Sequence, residues 1–126
     1  MIQADSIAGS YPTTVSNGNH ELIADAPIAK GGGGSGFGAH ELLEAALAAC
    51  LNMAVRMCAN ANGIPLQSVR TRVSLQRPTD DIVRFRYTLE FTGALSEQQR
   101  AELEFAAETC PVRQTLSKQL NFEQIS

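Results

Sequence analysis

The amino-acid sequence predicts an α+β fold, in which a strongly curved antiparallel sheet packs against one long buried helix. Two segments after residue 68 alternate apolar and polar side chains, which is typical of antiparallel strands with one face in the core. Residues 39–62 are good helix formers with apolar side chains on almost every side, which is typical of a buried helix. The 126 residues suit a single domain, residues 1–126.

The composition is that of an ordinary globular protein, with 44% hydrophobic residues, 18% charged residues and a formal net charge of −3. This charge balance gives no indication of binding to nucleic acid or to an anionic membrane. Residues 1–10 lack the basic and apolar regions of a signal peptide, which predicts a cytoplasmic protein. The most apolar run, residues 42–58, is interrupted by polar residues and rich in alanine, which argues against a membrane span.

The first thirty residues favour β-structure and lead into a glycine-rich loop. Asn17-Gly18-Asn19 is a turn signal between two short segments of strand character, which predicts a hairpin. Residues 31–38 hold six of the ten glycines and predict a flexible loop. This run also satisfies the pattern G-x-G-x-x-G, but no βαβ unit follows it, so we predict no nucleotide cofactor.

The helix predicted over residues 39–62 ends at Asn62-Gly63, and Pro65 follows shortly after. Its apolar positions surround almost the whole helix, so all of its sides require cover. A chain of this length has trouble covering such a helix alone. We therefore expect two copies to bury their helices together in a homodimer.

Residues 69–76 and 83–91 are the two predicted antiparallel strands. The aromatic side chains of the second strand share its inward face. The outward positions hold four arginines, Arg70, Arg72, Arg84 and Arg86. A face that binds nucleic acid would carry stacking aromatics beside its arginines, so we predict a solvated or cross-strand-paired face instead.

The C-terminal third begins with Ser96-Glu-Gln-Gln99, a capping box that predicts the start of a helix. The core stripe of this helix runs from Leu103 to Cys110. Pro111 ends the helix and suits the first position of a second, short helix that continues through Lys118. Residues 121–125 predict a final strand.

The segment His40-Glu41-Leu-Leu-Glu44 invites comparison with the zinc motif H-E-x-x-H. The second histidine of that motif is replaced by Glu44, and the chain has one other histidine, His20, so the three ligands of a zinc hydrolase are lacking. Polar residues in the first turn of a helix, where carboxylates interact favourably with the helix dipole, are the better interpretation. We predict no metal site.

Three cysteines, Cys50, Cys58 and Cys110, are an odd number at wide spacing, which indicates free or catalytic thiols over a disulfide framework. Cys58 is interpreted as a small buried hydrophobe. Cys110 precedes Pro111 at a helix N-terminus, so local physics predicts it to be the more acidic thiol, whereas Cys50 in mid-helix needs another activator. The alternative that both cysteines are only buried small hydrophobes stays open.

Two segments, ELLEAALAACLNMAVRM and GALSEQQRAELEFAAETCPVRQTL, resemble the central helix and the second signature of the OsmC/Ohr family (osmotically inducible protein C and organic hydroperoxide resistance proteins). The hairpin with Ala24-Asp25-Ala26-Pro27 ahead of a glycine-rich loop also fits. The resemblance implies an OsmC-like fold and an intertwined homodimer with two active sites at the subunit interface. It further implies a thiol peroxidase for organic hydroperoxides, in which Cys50 attacks the peroxide, Cys110 resolves the product to a disulfide, and an external dithiol reduces that disulfide.

The chain departs from the family pattern at the groups that activate the reactive cysteine. The family's glutamate ten residues before that cysteine is His40 here, and Glu41 comes one place late. The family's N-terminal arginine is also missing, because the first arginine is Arg56. The candidates for activating Cys50 or lining its pocket are therefore His40, Glu41 and Arg113, and the chain resembles the OsmC-like branch. The alternative function is a non-catalytic or redox-sensing OsmC-like protein that binds a small ligand.

Overall fold

The computed structural model describes residues 1–125, which form two compact units, residues 1–43 and the residues from 44 onward. The assignment of residues 1–126 to a single domain stays a prediction. The α+β class is confirmed, because antiparallel sheets and a long helix make up the chain.

The first unit is built on a three-stranded antiparallel sheet in which the strands follow sequence order. The predicted hairpin is confirmed: the Asn17 side-chain oxygen accepts hydrogen bonds from the backbone N–H groups of Asn19 and His20, at 2.9 and 2.7 Å. Gly18 adopts the positive φ (95°) that this turn requires. The strands are β1 (Gln3–Ser6), β2 (Thr13–Ser16) and β3 (Glu21–Ala24).

The glycine-rich loop predicted to be flexible is instead hydrogen-bonded back onto the end of β3. Phe37 donates its backbone N–H to the Ile23 carbonyl at 3.0 Å and accepts that of Asp25 at 2.9 Å. A Cβ atom at Gly36 would lie 2.1 Å from the Ile23 carbonyl oxygen. Glycine therefore serves here for the close approach of two backbone segments.

Helix α1 (Ala39–Asn62) has the predicted bounds. It ends through Gly63 at φ 62°, where the Ile64 N–H donates to the Ala59 carbonyl at 2.9 Å. A single stripe of α1 is buried in this chain, Leu47, Leu51, Val55 and Ala59. Met53 and Met57 on another side are 58% and 66% exposed, so the burial predicted on all sides is not reached within one chain.

By length and composition α1 would also be long and apolar enough to cross a membrane. Its buried stripe, however, lies at the centre of the hydrophobic core, together with Leu103, Ala107 and Cys110. A core helix passes the same test of length and composition. One side of α1 is therefore packed in a folded core.

The second unit contains the predicted antiparallel hairpin of two long strands, β4 (Ser68–Thr79) and β5 (Ile82–Thr92). Their pairing places Val69 opposite Phe91 and Leu75 opposite Phe85, with the inner face packed on the core and the outer face exposed. Two side chains tie the sheet to α1: Asn52 donates to the Val69 carbonyl and Thr71 donates to the Ala48 carbonyl, both at 2.9 Å.

Helix α2 (Glu97–Glu108) opens with the predicted capping box, in which Gln99 donates its N–H to the Ser96 hydroxyl and the Gln99 side chain accepts the Ser96 N–H. It buries Leu103 and Ala107. Helix α3 (Pro111–Leu116) follows at once and ends two residues before the predicted Lys118.

The strand predicted over residues 121–125 does not form, and this prediction is wrong for the single chain. A strand needs a neighbour to bond its N–H and C=O groups, and the two sheets of residues 1–125 contain only β1–β3 and β4–β5. The segment leaves Phe122 and Ile125 exposed.

Candidate functional site

The fold brings together the thiols of Cys50 and Cys110, which are sixty residues apart in the sequence. Cys50 lies on α1 and is half-buried, whereas Cys110, at the junction of α2 and α3, is fully buried. The two side chains are close enough for Cys50 to help raise the pKa of the Cys110 thiol, and both cysteines are free thiols. The site thus holds an accessible thiol beside an enclosed one.

Packing of α2 against the core sets the position of Cys110. Leu103 and Ala107 are buried in the same cluster as Leu51 of α1, one residue after Cys50. Pro111 has no N–H to donate within α2, so the helix ends before it. Cys110 donates its own N–H to the Ala107 carbonyl at 3.1 Å. Cys110 thereby lies in the same core cluster as the buried stripe of α1.

The pKa of the Cys110 thiol is raised above its ordinary value, in the opposite direction to the prediction. Burial is the largest cause, because it disfavours the charged thiolate, and the hydrogen bond with Cys50 is the second. The N–H groups of Arg113 and Val112 lower the pKa, as expected at a helix start, but by less. The prediction of an acidic Cys110 is therefore wrong, because desolvation outweighs the helix N-terminus.

Arg113 contacts this site through its backbone and lines a cavity through its side chain. Its N–H donates to the Cys110 sulfur at 3.5 Å, and its guanidinium donates to the Glu108 carbonyl at 3.2 Å. The cavity, of about 290 Å³, lies beside α1 next to Leu47, one helical turn before Cys50. Its lining combines apolar side chains with one guanidinium: Leu47, Val83, Phe85, Tyr87, Arg113, Leu116 and Ser117.

His40 and Glu41 lie in the first turn of α1 and belong to the first unit. The Glu41 carboxylate accepts the Gly38 N–H at 2.8 Å, which is the stabilising role expected of an acidic residue at a helix start. His40 lines a separate cavity of about 330 Å³ with Lys30 and Asp25. A part for either residue in the thiol chemistry stays a prediction.

Two buried or half-buried carboxylates have positions that sequence reasoning did not identify. Asp25 accepts the Ser35 N–H at 3.0 Å and the Ser35 hydroxyl at 2.7 Å, and these bonds hold its pKa below the usual range. Glu44 accepts the Leu75 N–H at 2.8 Å and so joins α1 to β4. Both residues stood in segments that the sequence analysis singled out, but their partners lie 10 and 31 positions away, which no local pattern indicates.

The third cysteine, Cys58, has its own surroundings. It is half-buried, its sulfur lies 3.9 Å from the Glu102 carbonyl oxygen, and the Asn62 amide lies 3.6 Å from it. It packs at the edge of the core, in keeping with its interpretation as a small hydrophobe. Among residues 1–125, no group of three or more His, Cys, Asp and Glu side chains is arranged to hold a metal ion.

Comparison with known proteins agrees with this fold. A family model described as OsmC-like protein matches residues 32–124. The structure of an OsmC-like protein from Mycoplasma pneumoniae is 26% identical in sequence and superposes with a TM-score of 0.74, covering 92% of this chain and 85% of that one.

Two further structures are those of organic hydroperoxide resistance proteins. OsmC of Legionella pneumophila is 25% identical with a TM-score of 0.67, and 93% of this chain and 88% of that chain are covered. OhrB of Bacillus subtilis is 24% identical with a TM-score of 0.62, and 93% of this chain and 89% of that chain are covered. No curated protein matches the chain.

Proposed function

This chain belongs to the OsmC-like family, and we propose that it is a thiol peroxidase that reduces organic hydroperoxides with Cys50 and Cys110. The observation that carries the proposal is the proximity of these two thiols, which pack in one core cluster and are close enough for Cys50 to raise the pKa of Cys110. Two solved structures with the same fold are organic hydroperoxide resistance proteins, which supports a hydroperoxide as the substrate class.

The proposed reaction has three balanced steps. The Cys50 thiolate attacks the distal peroxide oxygen, the O–O bond breaks, and an alkoxide leaves and takes up a proton to give the alcohol, with Cys50 oxidised to the sulfenic acid. The Cys110 sulfur then attacks the Cys50 sulfur, and water leaves as the disulfide forms. An external dithiol reduces that disulfide by exchange and is itself oxidised to a disulfide.

Burial supports this division of roles between the two cysteines. Cys50 is half-buried, so a peroxide can reach it, while Cys110 is fully enclosed near Cys50. The raised pKa of Cys110 keeps it protonated at neutral pH, so it carries the proton that leaves with the sulfenic hydroxyl as water. The reverse assignment would require the peroxide to enter the core.

The cavity beside Leu47 supports an organic hydroperoxide over hydrogen peroxide. Phe85, Tyr87 and Leu116 offer apolar surface on which a carbon chain or ring can pack, and hydrogen peroxide has no such group. Arg113 is the cation of this cavity and the foremost candidate for stabilising negative charge at the site. His40 and Glu41 remain proposed contributors.

We further propose that the protein acts as a cytoplasmic homodimer. Met53, Met57 and Phe105 are between 58% and 66% exposed in the single chain, although they are large and apolar. A second copy would remove this apolar surface from water, and its burial would lower the free energy of the dimer in proportion to the area buried. Sedimentation measures the assembly, and cell fractionation measures the location.

The proposal is tested by intact mass under non-reducing conditions, before and after one equivalent of cumene hydroperoxide. We expect the loss of two hydrogens, mapped by peptide analysis to a Cys50–Cys110 bond, and no such loss in the variant Cys50→Ser. The variant Cys58→Ser is the matched control and should behave as the parent protein. Thiols that stay unchanged in the parent protein would reject the peroxidase and favour the non-catalytic, ligand-binding alternative.

A further inference from the structure

The outer face of the β4–β5 hairpin carries four of the nine lysines and arginines that follow residue 43. Four arginines project from it, and we call them the arginine face: Arg70, Arg72, Arg84 and Arg86. All four are exposed, and Glu90 is the one acidic residue among the outward positions of the paired register. This concentration stands out in a chain whose formal net charge is −3.

Glu90 shows how this face holds a carboxylate. Arg70 lies directly opposite Glu90 in the strand register, with its guanidinium 3.7 Å from the carboxylate, and Arg72 forms a second ion pair with the same group. Two arginines spaced two residues apart on one strand therefore converge on one carboxylate of the other. Guanidinium groups suit this geometry because each offers several N–H donors in one plane.

Arg84 and Arg86 repeat the same spacing on β5, but they face Gln76 and Ser74 of β4, which are neutral. Within residues 1–125, neither arginine lies within ion-pair distance of a carboxylate. Arg86 borders a shallow depression of about 430 Å³ with Arg72, and the rest of its lining is Val73, Ser74, Tyr87 and Thr88, none of which is acidic. This half of the face thus presents donors without an acidic partner of its own.

We propose that the arginine face docks an acidic segment of a partner protein, with Arg84 and Arg86 binding a carboxylate of that segment as Arg70 and Arg72 bind Glu90. Charge complementarity of this kind guides encounter and fixes register between proteins. A protein carboxylate is favoured over nucleic acid, because no outward position of the paired register is aromatic, and Tyr87, which borders the depression, is half-buried against the core. The surface is distinct from the thiol pair and does not depend on the peroxidase proposal.

The test is fluorescence anisotropy of a labelled oligoglutamate peptide titrated with the full chain at low ionic strength. We expect saturable binding that the double variant Arg84→Gln/Arg86→Gln weakens about tenfold, since it removes two exposed charge pairs. Arg100→Gln/Lys118→Gln is the matched control, because it removes the same charge from exposed positions outside the face. It should bind the peptide as the parent does.

A second variant tests the face in the opposite direction. Glu90→Gln releases Arg70 and Arg72 and should strengthen peptide binding about threefold. All these positions are exposed, so the variants are expected to fold, which their melting temperatures will report. The proposal is overturned if both double variants weaken binding equally, if Glu90→Gln leaves it unchanged, or if a labelled oligonucleotide binds more tightly with the same arginine dependence.

Discussion

The Cys110 thiol lies at the start of α3 and also in the core, and these two placements have opposite effects on its pKa. The backbone N–H groups of Arg113 and Val112 favour the thiolate. Burial and the neighbouring Cys50 thiol favour the protonated form and are stronger. A helix N-terminus is thus a reliable guide to thiol acidity only where the sulfur keeps contact with water.

This raised pKa has a consequence for stability at alkaline pH. The unfolded chain ionises Cys110 near its ordinary value of 9.0, whereas the folded chain holds the proton to higher pH. The contribution of protonated Cys110 to folding stability is therefore complete at pH values below its ordinary pKa. It is lost as the pH rises through the pKa of the folded state. We expect the melting temperature to fall over this window.

The measurement is a series of thermal melts from neutral to alkaline pH for the parent and for Cys110→Ala. The variant should lose about 1 kcal/mol or more at neutral pH, because buried sulfur contacts are removed, but its slope at alkaline pH should be shallower. Cys58→Ala is the control for removing a less buried thiol. Parallel slopes for parent and Cys110→Ala would contradict the raised pKa.

At the scale of elements, α2 positions Cys110, and its first turn depends on the capping box. The Ser96 hydroxyl accepts the Gln99 N–H at 3.1 Å. We expect Ser96→Ala to lower the free energy of unfolding by about 1 kcal/mol, because a helix-start N–H loses its partner. Urea denaturation measures this change, and Ser68→Ala, at an exposed serine of β4, should stay within about 0.5 kcal/mol of the parent. Equal effects at the two serines would argue against the cap.

The glycine-rich loop shows the limit of prediction from local pattern. Its glycine content correctly indicated an unusual backbone conformation, but the same pattern also predicted flexibility. The hydrogen bonds from Ser35 to Asp25 join residues ten positions apart, and the close contact at Gly36 involves β3. No local propensity encodes such a pairing, so the loop's conformation was not predictable from its composition.

At the scale of the whole molecule, apolar surface on α1 stays uncovered in the single chain. We expect the protein to sediment as a dimer and Met53→Glu to raise the dimer dissociation constant about a hundredfold, because a buried carboxylate without a partner costs about 3 kcal/mol. Gln98→Glu is the matched control, since it adds the same charge at an exposed polar site of α2. A parent protein that sediments as a monomer would contradict the homodimer.

Prediction succeeded for elements that their own residues specify. The bounds of α1, the pairing of β4 with β5 and the capping box at Ser96 all follow from periodicity or from a few adjacent side chains. It failed for residues 121–125, because their apolar residues have strand character but a strand forms only beside another strand. The candidate site was found through resemblance, since spacing alone does not associate Cys50 with Cys110.

By itself the sequence determined the bounds of α1, the start of α2 and the alternating faces of β4 and β5, because these depend on contacts within a few residues. Only the tertiary structure decided which groups meet. It brought Cys50 to Cys110, set Asp25 against Ser35, and left Arg84 and Arg86 without a carboxylate. It also reversed the expected acidity of Cys110, because burial depends on the packing of distant segments and desolvation outweighs the local dipole.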